Sequence, residues 1–246
     1  MKRISLRDER EAEDPSLPSG EALSDTTPGD PPRRKIYDGK FVRLVPVDPG
    51  NDVDELYSGA HGDAAYDALW TYMPYGPFAD ADAMRNWLED CARSEDPLFF
   101  TVHDLGFGRR VGMVSFLNFV CNMRTIELGH IWYQPRAQRS GVNTESVYLM
   151  LCEAFDVQRS RRVEWKCNAL NLRSRTAALR LGFSFEGIFR QHLIVKGRNR
   201  DSAWFSMLDF EWPQIRANME TWLYGQGPRP SLRALNASIV SVKAPV

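Results

Sequence analysis

The segment Arg136-Ala137-Gln138-Arg139-Ser140-Gly141 carries the residue types of an anion site. Pro135 ends an alternating apolar segment just before it, and a stripe at helical spacing follows, so Gly141 falls where a strand hands over to a helix. The first turn of any helix presents backbone N–H groups without intrahelical partners. With Arg136, Gln138 and Arg139 beside them, such groups suit a phosphate and above all a pyrophosphate. Asn143 or Thr144 is expected to cap that helix. One glycine is a weak signal, and an ordinary turn with solvated arginines has the same composition.

Other side chains with chemical potential are scattered. His130 and His192 sit on alternating segments, where an imidazole serves either as a base or as a hydrogen-bonded wall residue. The stretch Thr71-Tyr72-Met73-Pro74-Tyr75-Gly76-Pro77-Phe78, preceded by Trp70, is too apolar for a solvated loop; it either packs under a neighbour or lines a pocket. Cys91, Cys121, Cys152 and Cys167 stand far apart among apolar neighbours and are expected to be reduced and mostly buried, with no metal site.

The elements that must position these groups follow from periodicity. Ile126, Leu128, His130 and Trp132 are expected on one face of a strand, with Glu127, Gly129, Ile131 and Tyr133 on the other. Val147, Met150, Leu151, Ala154 and Phe155 form the stripe of the helix after the glycine loop, buried on one side. Upstream come a strand over 41–46, short helices over 52–58 and 61–70, and a helix from Asp80 or Asp82 to Arg93. A hairpin of 98–103 with 110–119 leads into the central strand. Downstream come a strand over 162–168, a helix capped by Asn171 and stopped by Gly182, strands over 183–195 and 201–212, and a helix over 215–224. This order predicts a mixed α/β sheet, close to α+β, with helices on both faces.

With 246 residues, 43% of them apolar, the chain can fill a substantial core. A net charge of −1 gives no global field for nucleic acid or an anionic membrane. Residues 1–36 have little to bury and are expected to form a disordered or loosely attached arm, 37–224 the folded domain, and 225–246 a loose tail. No apolar run approaches bilayer length and the N-terminus lacks a signal-peptide core, which suggests a cytoplasmic protein.

Three stretches together resemble the GCN5-related N-acetyltransferase (GNAT) superfamily, in its branch similar to the RimJ/RimL ribosomal-protein acetyltransferases. They are Ile126-Glu-Leu-Gly-His130 with Gln138-Arg-Ser-Gly-Val-Asn-Thr-Glu145, then Asn168-Ala-Leu-Asn-Leu-Arg-Ser-Arg-Thr-Ala-Ala-Leu-Arg-Leu-Gly-Phe-Ser-Phe-Glu-Gly187, and Gly197-Arg-Asn-Arg-Asp-Ser-Ala-Trp-Phe-Ser-Met-Leu208. The likeness covers about 40–223.

The resemblance implies a central, mostly antiparallel twisted sheet that splays at the site, with acetyl-CoA as co-substrate lying in the V and its pyrophosphate on the loop amides. The donor would touch Gln138, Arg139, Ser140, Gly141, Val142, Asn143 and Thr144, together with Ile131, Trp132, Asn171 and Ser174. Asn143 brings a side chain where the family usually has a small residue.

By the same resemblance, Glu127 is the candidate general base, or else pairs with a neighbouring cation. Ser174 would protonate the departing thiolate, since Ala178 stands where many relatives place a tyrosine. An amide near 130–132 would polarise the thioester carbonyl. Trp70, Tyr72, Tyr75, Phe78 and His130 would shape the site of an acceptor amine, either a protein N-terminus or a small molecule. Other acyl-CoA donors, or an aminoacyl-tRNA held by Arg159, Arg161, Arg162, Arg173, Arg175, Arg180, Arg190, Arg198 and Arg200, remain open, as do a homodimer and a regulatory domain that binds acyl-CoA without catalysis.

Overall fold

A computed structural model describes residues 20–62 and 64–239. Its strands are β1 (Tyr37–Asp38), β2 (Val42–Pro46), β3 (Leu98–Asp104), β4 (Arg109–Val120), β5 (Thr125–Tyr133), β6 (Arg162–Asn168), β7 (Ser184–Val195) and β8 (Arg198–Leu208). Its helices are α1 (Pro49–Ser58), α2 (Ala64–Asp67), α3 (Ala81–Arg93), α4 (Val142–Cys152), α5 (Leu172–Leu181), α6 (Trp212–Tyr224) and α7 (Leu232–Asn236). The strands form one sheet in the order β1-β2-β3-β4-β5-β6-β8-β7. Every neighbouring pair is antiparallel except β5 with β6, which α4 connects in parallel.

Alternation along the strands sorts the core into two layers. Phe100, Val114, Ile126, Leu128, Val163 and Phe205 pack against α4 to α7, whereas Phe99, Met113 and Trp132 pack against α1 and α3. The second layer reaches only as far as β5. Beyond it, on the same face of β6, β8 and β7, lie Lys166, Ser202 and Trp204, and no described helix contributes a core residue there.

Local signals account for most boundaries. Asp80 caps α3 by accepting from Ala83 N–H, and Asn171 caps α5 by accepting from Ser174 N–H. Gly182 ends α5 in the left-handed region at φ +103°. At Gly76, φ is +60°, and a Cβ would lie 2.5 Å from the Trp70 ring, so the aromatic loop closes over Trp70 only with glycine there.

Several expectations are corrected. α4 is buried on almost every side, because helices and sheet enclose it, and it gives way to a π turn over Glu153–Val157 instead of continuing as an α-helix to Phe155. Neither Asn143 nor Thr144 caps it: the N-cap is Gly141, and the side chain that accepts from the first turn is Ser140, from Val142 N–H. α6 starts at Trp212 and the β7–β8 turn is shorter than expected.

The segment after Gly225 is not a loose tail as far as 239. Leu232 is buried; Asn218 Nδ2 donates to the Leu235 carbonyl at 2.9 Å, and Asn236 Nδ2 donates to the Arg180 carbonyl at 3.1 Å. Leu232, Leu235 and Ile239 pack on the core and asparagine bonds fasten the helix; the apolar stripe is too short to stand out in the sequence. Residues 20–36 have no regular secondary structure but are fastened: Gly29 N–H donates to Cys121 O at 3.0 Å, and Lys35 pairs with buried Glu153 at 2.8 Å. Residues 1–19 and 240–246 lie outside the described residues.

Candidate functional site

The parallel pairing of β5 with β6 runs from Thr125↔Arg162 to Leu128↔Trp165 and stops, although both strands continue. The two strands therefore diverge into a V. Opposite β4 the register slips between Ser115↔Gly129 and Met113↔Trp132, so β5 carries an extra residue there. His130 absorbs the bulge at φ +51°, a conformation that costs a residue with a Cβ about 1–3 kcal/mol. The unbroken alternation expected for β5 thus fails: Ile126, Leu128 and Tyr133 face the α4 side and Trp132 the α1–α3 side. The extra residue also interrupts the β4 ladder beside Ile131, where the edge of the V has backbone to spare.

One end of the V leads to α4. The first-turn amides of α4 have no capping side chain. Ser140 Oγ accepts from Val142 N–H at 3.2 Å, while Gln138 Nε2 donates to Tyr133 O at 3.0 Å and so braces the loop rather than facing outward. Arg139 is exposed in the left-handed region. The Asn143 side-chain oxygen is buried without a partner, and Thr144 Oγ1 accepts from Arg180 Nη2 at 2.9 Å. Arg229 lies over Trp222 and Phe41, its guanidinium nitrogens 4.0 Å from where a Gly141 Cβ would stand. Neither Arg180 nor Arg229 has a carboxylate partner among the described residues, and burial lowers the Arg180 pKa. Free amides plus two unpaired guanidinium groups fit a pyrophosphate.

Glu145 holds this end in place. Its fully buried carboxylate accepts from the amides of Lys40 (2.9 Å), Phe41 (2.6 Å) and Val42 (2.7 Å) and from the Tyr224 hydroxyl (2.8 Å). A charge taken from water needs such a full set of donors.

The other end of the V carries titratable side chains. Glu127 is 6% exposed; its Oε2 accepts from Asn118 Nδ2 at 2.7 Å and pairs with Lys166 Nζ at 2.8 Å. The cation beside Glu127 is thus a lysine from the facing strand. Desolvation raises the Glu127 pKa and the lysine opposes it. Burial pushes His130 down to about 4, aided by the charge of Arg200, so its imidazole is neutral at physiological pH. The His130 ring stacks on Tyr75 and lies 4.8 Å from Phe99.

Ser174 Oγ accepts from Trp165 Nε1 at 3.0 Å, and its hydroxyl also reaches the Cys167 thiol. Ser174 and Asn171 are joined through the cap, whereas no hydrogen bond links Ser174 to Glu127 among the described residues. Tyr72 OH donates to Leu170 O at 3.3 Å and bridges the aromatic loop to the turn before α5. Lys196, at the tip of the β7–β8 hairpin, donates to the carbonyls of Trp70 and Gly76. Tyr75 and Phe78 are half-buried on this side, but Trp70 has no exposed surface; it donates to Ala60 O and forms the floor beneath the loop instead of a pocket wall.

Asn118, Lys166 and Arg229 carry no signal of their own in the sequence. Strand alternation does place Lys166 on one face with Glu164, but the parallel register that brings both to Glu127 is a tertiary property. Four of the nine arginines considered for RNA are engaged within the fold: Arg159 with Pro28 O, Arg162 with Glu164 and Glu186, Arg175 with Ala169 O, and Arg180 with Thr144.

This arrangement of splayed strands, bulge and open helix start has counterparts in known proteins. A family model for the acetyltransferase (GNAT) domain matches residues 42–184. The chain belongs to the GNAT acetyltransferase family. YdaF of Bacillus subtilis strain 168, named provisionally as a ribosomal N-acetyltransferase, is 30% identical over 105 residues. That match covers 43% of this chain and 57% of YdaF, so it spans little more than half of that GNAT relative. A GCN5-related N-acetyltransferase of Brucella melitensis with a solved structure is 37% identical at a TM-score of 0.83, over 87% of this chain and 100% of that one. The microcin C7 self-immunity acetyltransferase MccE, crystallised with acetyl-CoA and AMP, shares the fold at 21% identity and a TM-score of 0.60, over 69% of this chain and 93% of that one.

Proposed function

We propose that the chain transfers an acetyl group from acetyl-CoA to a primary amine, with Glu127 as general base. The observation that carries this is the V itself: unpaired phosphate-binding groups lie at one end and a buried, hydrogen-bonded carboxylate of raised pKa at the other. GNAT membership and a fold relative crystallised with acetyl-CoA support the donor.

Acetyl-CoA supplies a thioester whose carbonyl carbon accepts the amine nitrogen as the carbon–sulfur bond breaks. Glu127 removes the proton that the ammonium must lose before nitrogen can attack. The amides of Ile131 and Trp132, beside the bulge, are the donors nearest the expected carbonyl position and offset the developing oxyanion. Ser174 gives its hydroxyl proton toward the departing sulfur, while Trp165 keeps the oxygen oriented. His130, held neutral, acts as a wall.

Calorimetric titration with acetyl-CoA, followed by thiol release in the presence of a panel of primary amines and peptides, tests this. Saturable binding with amine-dependent thiol release is expected. Absence of binding, or binding of acyl-CoA with no transfer to any amine, overturns it.

A further inference from the structure

Arg200 has no counterpart among the other cations on the open face of the sheet. Lys166 pairs with Glu127 and Glu164, and Arg162 with Glu164 and Glu186. Arg200 makes no ion pair among the described residues, and its Nε is buried without a hydrogen-bond partner. Arg200 is half-buried, and a guanidinium Nε enclosed without an acceptor is costly, which marks the group as one awaiting a ligand.

Its position follows from register. Trp204 of β8 faces Lys166 of β6, and Ser202 faces Asn168, the last residue of β6. Arg200 lies two residues further on, opposite Leu193 of β7, on the same face as Ser202 and Trp204 and just past the end of β6 where the V opens. Strand β6 lies between β8 and the β5 strand that carries Glu127, and Arg200 makes no ion pair with that carboxylate among the described residues. On this side Tyr72 bonds to the Leu170 carbonyl and Lys196 to the aromatic loop. Two aromatic groups flank Arg200: Tyr75, Phe99 and His130 toward β5, and Phe189, His192 and Trp204 on β7 and β8.

A buried carboxylate and a half-buried guanidinium on either side of β6 that make no ion pair with each other match a molecule carrying both opposite charges. A zwitterion offers its ammonium to Glu127 and its carboxylate to Arg200, bridging a gap too wide for the direct salt bridge. A peptide N-terminus offers the ammonium but has a neutral carbonyl where the carboxylate would be, and so leaves Arg200 uncompensated. We propose that Arg200 receives the carboxylate of the acceptor, making the substrates of this site free α-amino acids with apolar or aromatic side chains rather than peptide N-termini. The substrate class rests on the acetyltransferase function proposed above; the binding role of Arg200 does not.

The test compares L-phenylalanine, L-leucine and L-methionine with their carboxamides, in wild type and in Arg200→Gln and Arg200→Lys. Wild type is expected to favour the free acids in kcat/KM by about 10- to 100-fold, the range of a charge-assisted hydrogen bond. Arg200→Gln should abolish that preference by slowing the acids and leaving the amides unchanged, and Arg200→Lys should restore part of it. The melting temperature of Arg200→Gln should not fall, since the variant removes an unpaired, half-buried charge, whereas a scaffolding arginine would lower it. Saturation-transfer NMR with L-phenylalanine reads binding without turnover and should lose its signal in Arg200→Gln.

Equal rates for acids and amides, equal losses for both in Arg200→Gln, or no binding of any of these amino acids overturns the proposal. If acetyl-CoA binds and peptides are acetylated while amino acids are not, only this proposal fails. If acetyl-CoA does not bind but amino-acid binding still depends on Arg200, the function proposed above fails and the Arg200 site stands.

Discussion

The two ends of the V solve recognition differently. At the α4 end the groups on offer are main-chain amides, with Arg180 and Arg229 beside them and without carboxylate partners. At the Glu127 end, β4, β5, β6 and β8 each contribute a side chain, and Glu127, Lys166 and Glu164 are paired with one another while Arg200 makes no ion pair among the described residues. A site made of backbone tolerates changes of side chain but not of shape. A site made of side chains depends on the identity of each one, and this is where specificity can vary while the donor stays the same.

The sharpest test is Gly141→Asp. A Cβ at this position meets only ordinary contacts at 4.0 Å, so the variant should fold. The carboxylate would occupy the phosphate position and engage Arg229. Acetyl-CoA affinity, measured by calorimetry, should fall by more than about 100-fold, beyond the loss of a single charged hydrogen bond. Unchanged affinity in the folded variant would mean that the donor does not sit on α4.

Glu127→Gln should break the opposite end alone. Turnover should drop by about 10²- to 10⁴-fold, the usual contribution of a general base, with coenzyme affinity retained. The sign of the pH effect follows from the raised pKa. Glu127 must be ionised to accept a proton, so the acid limb of wild-type kcat/KM should lie above the ordinary glutamate value of about 4.3. In the Gln variant that limb disappears, and the deficit should shrink as rising pH frees the amine unaided. A variant fully active at every pH would remove the base from the mechanism.

Smaller effects sharpen the contrast. Arg229→Ala should weaken acetyl-CoA about tenfold, as a charge-assisted contact does, and flatten the salt dependence of binding without changing the acceptor KM. A rise in acceptor KM instead would show that the two ends are not separate. Ser174→Ala should reduce turnover about tenfold or less, because a thiolate of pKa near 8.5 departs tolerably without an acid. At the bottom of the scale stands Asn143→Ala. Since Asn143 caps nothing and its side-chain oxygen lacks a partner, donor affinity should be kept or improved. A loss well beyond the roughly 1 kcal/mol of a missing cap would mean that Asn143 touches the donor.

The same contrast governs what could be read from the sequence. The α4 loop, the Asn171 cap and the Gly182 stop are encoded within a few residues, and so they were legible. The bulge at His130 was not, because its positive φ falls on a residue with no glycine to announce it and the apolar alternation runs through it unbroken. Lys166 and Arg200 are ordinary cations on alternating strands. What distinguishes them, one paired and the other not, exists only once β6 lies parallel to β5 and β8 lies against β6. Arg229 and α7 were hidden for another reason: the stretch opens rich in glycine and proline, its apolar stripe of Leu232, Leu235 and Ile239 is short, and neither asparagine bonds nor a cation on an indole leave a periodic trace.

Glu145 ties the order of folding to the ability to hold the donor. Its bond to Lys40 spans 105 residues of sequence and its bond to Tyr224 spans 79. Closing such long loops costs entropy that only late, non-local contacts repay. The first turn of α4 is therefore expected to take its final position after both distant segments have docked on the same carboxylate. A nascent chain still lacking residue 224 would have the glycine loop but not the rigid cradle, and would sequester little acyl-CoA while it is being made. On the function proposed above, donor affinity therefore reports on completed folding: the cradle forms once the turn before β2 and the end of α6 have met on Glu145.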